Sequence, residues 1–203
     1  MTAEPDEHLD TVLIGGREER LIVIVDYDFE WPSLFDALAS VIEVAVGEGA
    51  LSVEHIGSTS VPGLPAKPII DILLIVEDVA DENVFLGKLE AVGFELRVRE
   101  IGHCMMRTTA RDVHIHVLSA KSSAISDYLD FRDWLREDES DRHLYATTKK
   151  HLAQQPWLDM NDYAEAKTEV VTQILSRARR WLEAGSVVRY SEASIPHLGP
   201  HET

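Results

Sequence analysis

Glu54-His55-Ile56-Gly57-Ser58-Thr59-Ser60-Val61-Pro62-Gly63-Leu64-Pro65-Ala66-Lys67-Pro68-Ile69-Ile70-Asp71-Ile72-Leu73-Leu74-Ile75-Val76 is the stretch on which the reading of this chain turns. Its two ends read as strands. Residues 51–56 alternate apolar and polar side chains like a half-buried strand, and residues 69–76 form a β-branched apolar run interrupted only by Asp71. Two glycines, three prolines and Ser58-Thr59-Ser60 lie between them. Glycine lets backbone approach a ligand closely, and open N–H groups attract an anion, so this connection has the composition of a phosphate cradle. Asp71 stands out because an unpaired charge inside an apolar strand is costly. It either caps a loop or pairs with Lys67, or it holds a metal ion over phosphates touched by Gly57 and Ser58.

The neighbouring sequence supplies a fold around this stretch. Residues 20–26 form an apolar run expected to be a strand, and Pro32 opens a helix carried by Leu34, Phe35, Leu38, Val41, Ile42 and Ala45. Asp81 is placed to cap a helix over 82–92. Strands are expected at 94–99, 103–108 and 113–118, the last two joined as a hairpin. From Ser123 onward the periodicity is helical, with stripes through Ile125 to Leu135, Leu144 to Leu152 and one long helix from Tyr163 to Trp181. The expected fold class is α+β, a mixed β-sheet with helices on one face and a C-terminal helical layer. Residues 1–19 read as a flexible N-terminus, 20–122 as the sheet core, 123–183 as the helical part and 184–203 as a flexible tail.

Several residues in this frame could carry chemistry. His114 and His116 are two apart on one strand, so both face one side. They are either partly buried histidines satisfied by backbone, or metal ligands together with Asp71, with His55 as a further candidate. Such a set would hold a divalent metal (Mg, Mn or Zn), and its imidazoles suit Mn, Zn or Fe better than Mg. His55 has three open roles: ligand, general base or support. Ser58, Thr59 and Ser60 either donate to phosphate oxygens or cap the turn after the strand. Lys67, in a chain poor in lysine, is the best cation for a phosphate. Arg97, Arg99, Arg107 and Arg111 gather positive charge around the hairpin, although solvated strands commonly carry arginine. Arg132, Arg136, Lys149 and Lys150 read as members of surface ion pairs.

Composition narrows the function classes. A net charge of -17 in 203 residues argues against nucleic acid and anionic membranes as partners, because both are bound by basic residues. An acidic excess spread along the chain also fits a high-salt interior, where repulsion is screened. No apolar run approaches the ~20 residues of a membrane span, the first residues are acidic rather than signal-like, and Cys104 is the only cysteine. A cytoplasmic location is expected.

The central stretch resembles the GrpB family, whose members carry a motif of the form EHIGST-VPGL-KPIID. Asp26-Tyr27-Asp28-Phe29-Glu30-Trp31-Pro32, residues 128–136 and residues 167–174 also resemble that family, so the likeness covers roughly residues 20–183. More distantly, Ile56-Gly57-Ser58 followed by Asp71 is similar to the head of the nucleotidyltransferase superfamily, where a strand carries an Asp-x-Asp pair and a later strand a third carboxylate. Leu73 replaces the second acid here, and histidines occupy the later strand. The resemblance implies binding of a nucleoside triphosphate or related phosphorylated small molecule, with metal-dependent nucleotidyl transfer. Asp71 and His55 are then the candidate catalytic residues. Gly57, Ser58, Thr59, Ser60 and Lys67 would hold the phosphates, and Asp71, His114 and His116 the metal. The missing acid keeps a second reading open, a non-catalytic regulatory module; GrpB-like segments attached to dephospho-coenzyme A kinases make coenzyme A precursors plausible ligands for it. A metal-dependent hydrolase using His55, His114 and His116 is a third.

Overall fold

The computed structural model describes residues 11–16, 22–157 and 160–189. The strands are β1 (Ser52–Ile56), β2 (Ile70–Val76), β3 (Phe94–Glu100), β4 (His103–Thr108) and β5 (Val113–Ser119), in the spatial order β1-β2-β5-β4-β3. Only β2 and β5 run parallel; the remaining neighbours are antiparallel. This is the expected mixed sheet. β2 is an interior strand covered on both faces, which explains why its sequence is a continuous apolar run rather than an alternation.

The sheet faces divide by strand parity. Ile70, Ile72, Leu74 and Val76, with Ile115 and Val117, pack against α1 (Trp31–Val46) and α2 (Leu86–Ala91) through Ile42, Val46, Phe85 and Leu89. Burying each such side chain is worth roughly 1.5–3 kcal/mol, so this face is the main source of stability. On the other face Ile56, Leu73 and Leu118 meet Ile125, Tyr128 and Leu129 of α3 (Ala124–Glu137). The helical layer continues with α4 (Glu139–Leu152), α5 (Met160–Glu165) and α6 (Thr168–Arg189).

Two polar devices lock that layer. Asp141 of α4 is buried, accepting from Trp134 Nε1 at 2.7 Å and from Arg177 Nε and Nη2, each at 2.7 Å, so one carboxylate joins α3, α4 and α6. α3 grips the central stretch: Arg132 Nη1 reaches Glu54 Oε2 at 2.9 Å and His55 O at 3.1 Å, and Arg136 Nη2 reaches Ser60 O at 2.8 Å.

Four expectations change. Among described residues of the expected strand 20–26, only Val25 pairs, in an isolated bridge to Ala66; Val23 is exposed, so the run is an extended segment beside a loop. The 82–92 helix is split into a 3-10 turn and the short α2, and Asp81 accepts from Asn83 Nδ2 instead of capping backbone. The long third helix breaks between Glu165 and Thr168. α6 then runs to Arg189, past residue 183. Within the N-terminal segment, Leu13 bridges Val98 and Ile14 N donates to Arg97 O at 2.8 Å. Residues 1–10 and 190–203, for which flexible ends are expected, lie outside the described residues. No helix among the described residues is long and apolar enough to cross a membrane.

Candidate functional site

The parallel pairing of β2 and β5 builds the centre. Asp71 lies opposite His114 and Leu73 opposite His116, and ladder partners project to the same face. Asp71, His114 and His116 therefore converge on the side facing α3. His114 Nδ1 is 3.4 Å from Asp71 Oδ1, His116 Nε2 is 4.0 Å from it, and one candidate ligand atom from each of the three residues lies within 4.8 Å of the others.

Burial alone would raise the Asp71 carboxyl, but the His114 hydrogen bond and the positive charge around it, Lys67 included, hold it below the usual carboxylate range. Burial lowers the His116 imidazole to about 4 despite the pull of Asp71, so the ring is neutral at pH 7. Glu100 Oε1 lies 2.7 Å from His103 Nδ1, and His103 Nε2 lies 3.1 Å from His116 Nδ1, so a chain of hydrogen-bonded side chains leads to the Nδ1 side of His116 and leaves its Nε2 edge turned toward Asp71. One carboxylate oxygen and two imidazole nitrogens form a donor set that suits Mn, Zn or Fe better than Mg.

The bend after β1 forms the rim. Gly57 has φ 69°, and a β-carbon there would lie 2.4 Å from Asp71 Oδ2, so this backbone passes close over the carboxylate only because the residue is glycine. Ser58 follows in a 3-10 turn. Bend and centre share a cleft of about 680 Å³ with three lysines, Lys67, Lys149 and Lys167. Lys149 is 3% exposed; its Nζ donates to Ser58 Oγ at 2.8 Å and Pro65 O at 2.6 Å and sits 4.6 Å above the Tyr145 ring. Lys67 and Lys167 lie 5.2 and 4.8 Å from the centre of the Tyr163 ring. Burial, reinforced by Lys167 and Lys67, drives the Lys149 ammonium well below its ordinary range. Tyr163, also lining the cleft, has a buried hydroxyl with no hydrogen-bond partner among the described residues.

A family model described as GrpB protein matches residues 21–177. The chain belongs to the GrpB family. A UPF0157 protein of Streptomyces coelicolor is 50% identical over 166 residues, covering 82% of this chain and 89% of that protein. The crystal structure of the conserved protein GrpB from Enterococcus faecalis superposes with a TM-score of 0.71 at 33% identity, over 78% of this chain and 99% of that one. The GLD-2/RNP-8 complex structure matches with a TM-score of 0.56 at 14% identity over 88% of this chain and 75% of that one, a likeness of fold and nothing more. A dephospho-CoA kinase of Mycolicibacterium paratuberculosis is 27% identical over 193 residues, which are 79% of this chain and 47% of that protein.

Within this GrpB chain the residues singled out from sequence separate into two groups. Gly57, Ser58, Lys67, Asp71, His114 and His116 line one cleft. His55 does not join them. Asp71 shares its face with its ladder partner Ile56, so His55, one residue earlier, points to the other side, stacks on Phe35 at 4.6 Å and meets Thr59 Oγ1 at 3.1 Å. The positive φ at Gly57 turns the chain out of the strand, so same-face spacing does not carry from His55 to Gly57. Thr59 reaches the cleft wall, but its hydroxyl donates to Ile69 O at 3.1 Å, and Ser60 Oγ donates to Gly57 O at 2.6 Å. Both hydroxyls brace the bend.

Lys149 is no surface ion-pair member, and Arg136 bonds the Ser60 carbonyl as well as Asp133. The residues sequence reasoning missed are Lys149, Lys167, His103 and Glu100. Lys149 lies on α4 and Lys167 in the turn between α5 and α6, and no periodicity reveals how these elements dock against the sheet. For His103 a signal existed: it is the third histidine of the 103–116 hairpin, on the same sheet face as His116.

Proposed function

We propose that this protein binds a nucleoside triphosphate or related phosphorylated small molecule in the cleft between the sheet and the helical layer, and transfers its nucleotidyl group to a hydroxyl acceptor. One observation carries the reading: three lysines gather beside an Asp71-His114-His116 cluster, in one cleft of a chain whose net charge is -17. Cations concentrated against the overall charge mark where an anion is held.

The roles follow from position. The Gly57–Ser58 bend brings backbone to the phosphates, and Lys149, Lys67 and Lys167 supply the opposing charge, as ammonium groups do for phosphate. A bound polyanion opposes the burial and lysine repulsion that depress the Lys149 ammonium. The Tyr163 hydroxyl gains a partner from the ligand. Asp71, His114 and His116 fit a divalent metal, which when bound would offset charge on the phosphates. In the transfer, the acceptor oxygen forms a bond to the α-phosphorus as the bond to the bridging oxygen breaks. Pyrophosphate leaves with that electron pair, and the hydroxyl proton passes to solvent.

Leu73 favours a second reading. It is fully buried at the position of the missing second acid, packed with Ile56 and Leu118, so that place is a hydrophobic plug. A regulatory module that binds a nucleotide or coenzyme A precursor without turning it over uses the same cleft, and the similarity to part of a dephospho-CoA kinase is in keeping with it. Calorimetric titration of ATP with Mn²⁺, followed by a pyrophosphate-release assay with small hydroxyl acceptors, tests both. ATP binding that weakens at least tenfold in Lys149→Met supports the site, and pyrophosphate release supports transfer over the module. Binding unaffected by that substitution contradicts both readings.

A further inference from the structure

The cleft is cationic at two ends, and the phosphorylated ligand accounts for one of them. The sheet register places Arg107 of β4 opposite His114, which is itself opposite Asp71. Glu95, Arg107, His114 and Asp71 thus form one row across the same sheet face, with Gly57 at one end and Arg107 beyond the candidate metal ligands at the other. Arg107 and Arg111 both line the cleft. The Arg107 side chain is only 11% exposed, and its Nε donates to Glu95 Oε1 at 2.9 Å, which fixes the plane of the guanidinium. Arg111 occupies the tight turn after β4 at φ 61°, a left-handed conformation that a long side chain rarely adopts.

The wall beside them is also built. Arg97 donates to the carbonyls of Ile14 and Gly16, pinning the segment that carries Leu13 against β3, and Leu13, Val98 and Met105 line the cleft there. Asp127, the acidic side chain at the rim, is paired with Arg179.

The two ends differ in chemistry. Lysines, which act as point charges, stand beside the Gly57–Ser58 bend; arginines, whose planar forks match carboxylate and phosphate oxygens, stand across the Asp71-His114-His116 cluster from it. We infer that the arginine end binds the second ligand of the site, a small acceptor bearing a carboxylate or phosphate monoester as well as its hydroxyl. A cleft of about 680 Å³ has the size of a small-molecule site, and the net charge of -17 disfavours a polyanionic chain there. The inference rests on the proposed function for what occupies the lysine end.

The test uses three probes on one carbon skeleton: glycerol 3-phosphate, glycerate and uncharged glycerol. Each is titrated calorimetrically into the full chain with Mn²⁺, with and without a saturating non-hydrolysable ATP analogue. At least one charged probe binds with the analogue present, glycerol does not, and Arg107→Gln and Arg111→Gln each weaken the charged probe at least tenfold while changing analogue affinity less than threefold. Two variants guard against a folding defect in either, and their melting temperatures are read alongside. Competition between charged probe and analogue, binding of all three probes alike, binding of none, or probe affinity in both variants equal to that of the wild type overturns the inference. A wild type that binds a charged probe in an Arg107-dependent way but no analogue keeps the arginine site and refutes the proposed function.

Discussion

A β-carbon on Gly57 would lie 2.9 Å from Asp71 Cβ as well as on its carboxylate, so bend and acid are fitted to each other. Gly57→Ala must move the carboxylate or strain a positive φ at a cost of about 1–3 kcal/mol. We expect the variant to fold with a lower melting temperature and to lose divalent-metal affinity at least tenfold; unchanged affinity measured by calorimetry would show that the contact is incidental. His55 makes a separate prediction through pH. Burial lowers its imidazole from 6.5 to about 4, so the unfolded chain takes up a proton in a range where the folded chain does not. Its stabilising contribution is full above about 6.5 and is lost as pH falls toward 4, about 3 kcal/mol in all. Urea unfolding from pH 7 to 4 should steepen for the wild type relative to His55→Gln, and superimposable profiles would contradict this. Asp71, His114 and His116 were legible in the sequence because an acid in an apolar strand and two histidines at strand spacing are both anomalies. His55 looked equally anomalous, yet ring stacking on Phe35 of α1 and the hydroxyl of Thr59 in the following turn satisfy it, and the strand pattern expresses neither contact.

At the scale of elements, α4 does more than cover the sheet. Lys149 ties it to the central loop by donating to Ser58 and to Pro65 O, so the helix carries a cation into the site. Lys149→Met leaves two acceptors without this donor but also removes a desolvated charge, and these effects oppose each other. The melting temperature should therefore shift by only a few degrees while ATP affinity falls; a collapse of the fold would mean that the lysine is chiefly structural. The strands were readable because interior and edge strands differ in apolar pattern, and all five observed strands begin within a residue of the expected position while β4 matches at both ends. The break before Thr168 was not readable. The apolar stripe through Tyr163, Val170 and Ile174 continues across it, and the break places Lys167 over the Tyr163 ring at the cleft. Lys149, a charged residue on α4, reads as solvent-facing until that helix is docked, and Lys167 sits in the break itself.

For the whole molecule, charge is the dominant feature. A chain with 36 acidic and 19 basic residues repels itself, and screening shortens the range of that repulsion. The melting temperature should rise between low salt and molar KCl, and a flat profile would remove salt adaptation as the reason for the composition. Against this background the cleft is the exception, with lysines on one side of Asp71, arginines on the other and two imidazoles between. The fold brings them together through the parallel β2–β5 pairing and the docking of α4 and α6, neither of which composition expresses. The account stands or falls on a cation at that centre, and calorimetric titration of Mn²⁺ into the wild type and Asp71→Asn tests it directly. One equivalent bound by the wild type, weakened at least tenfold in Asp71→Asn at equal folded content, is the predicted result; no binding by the wild type, or equal binding by both, would contradict it.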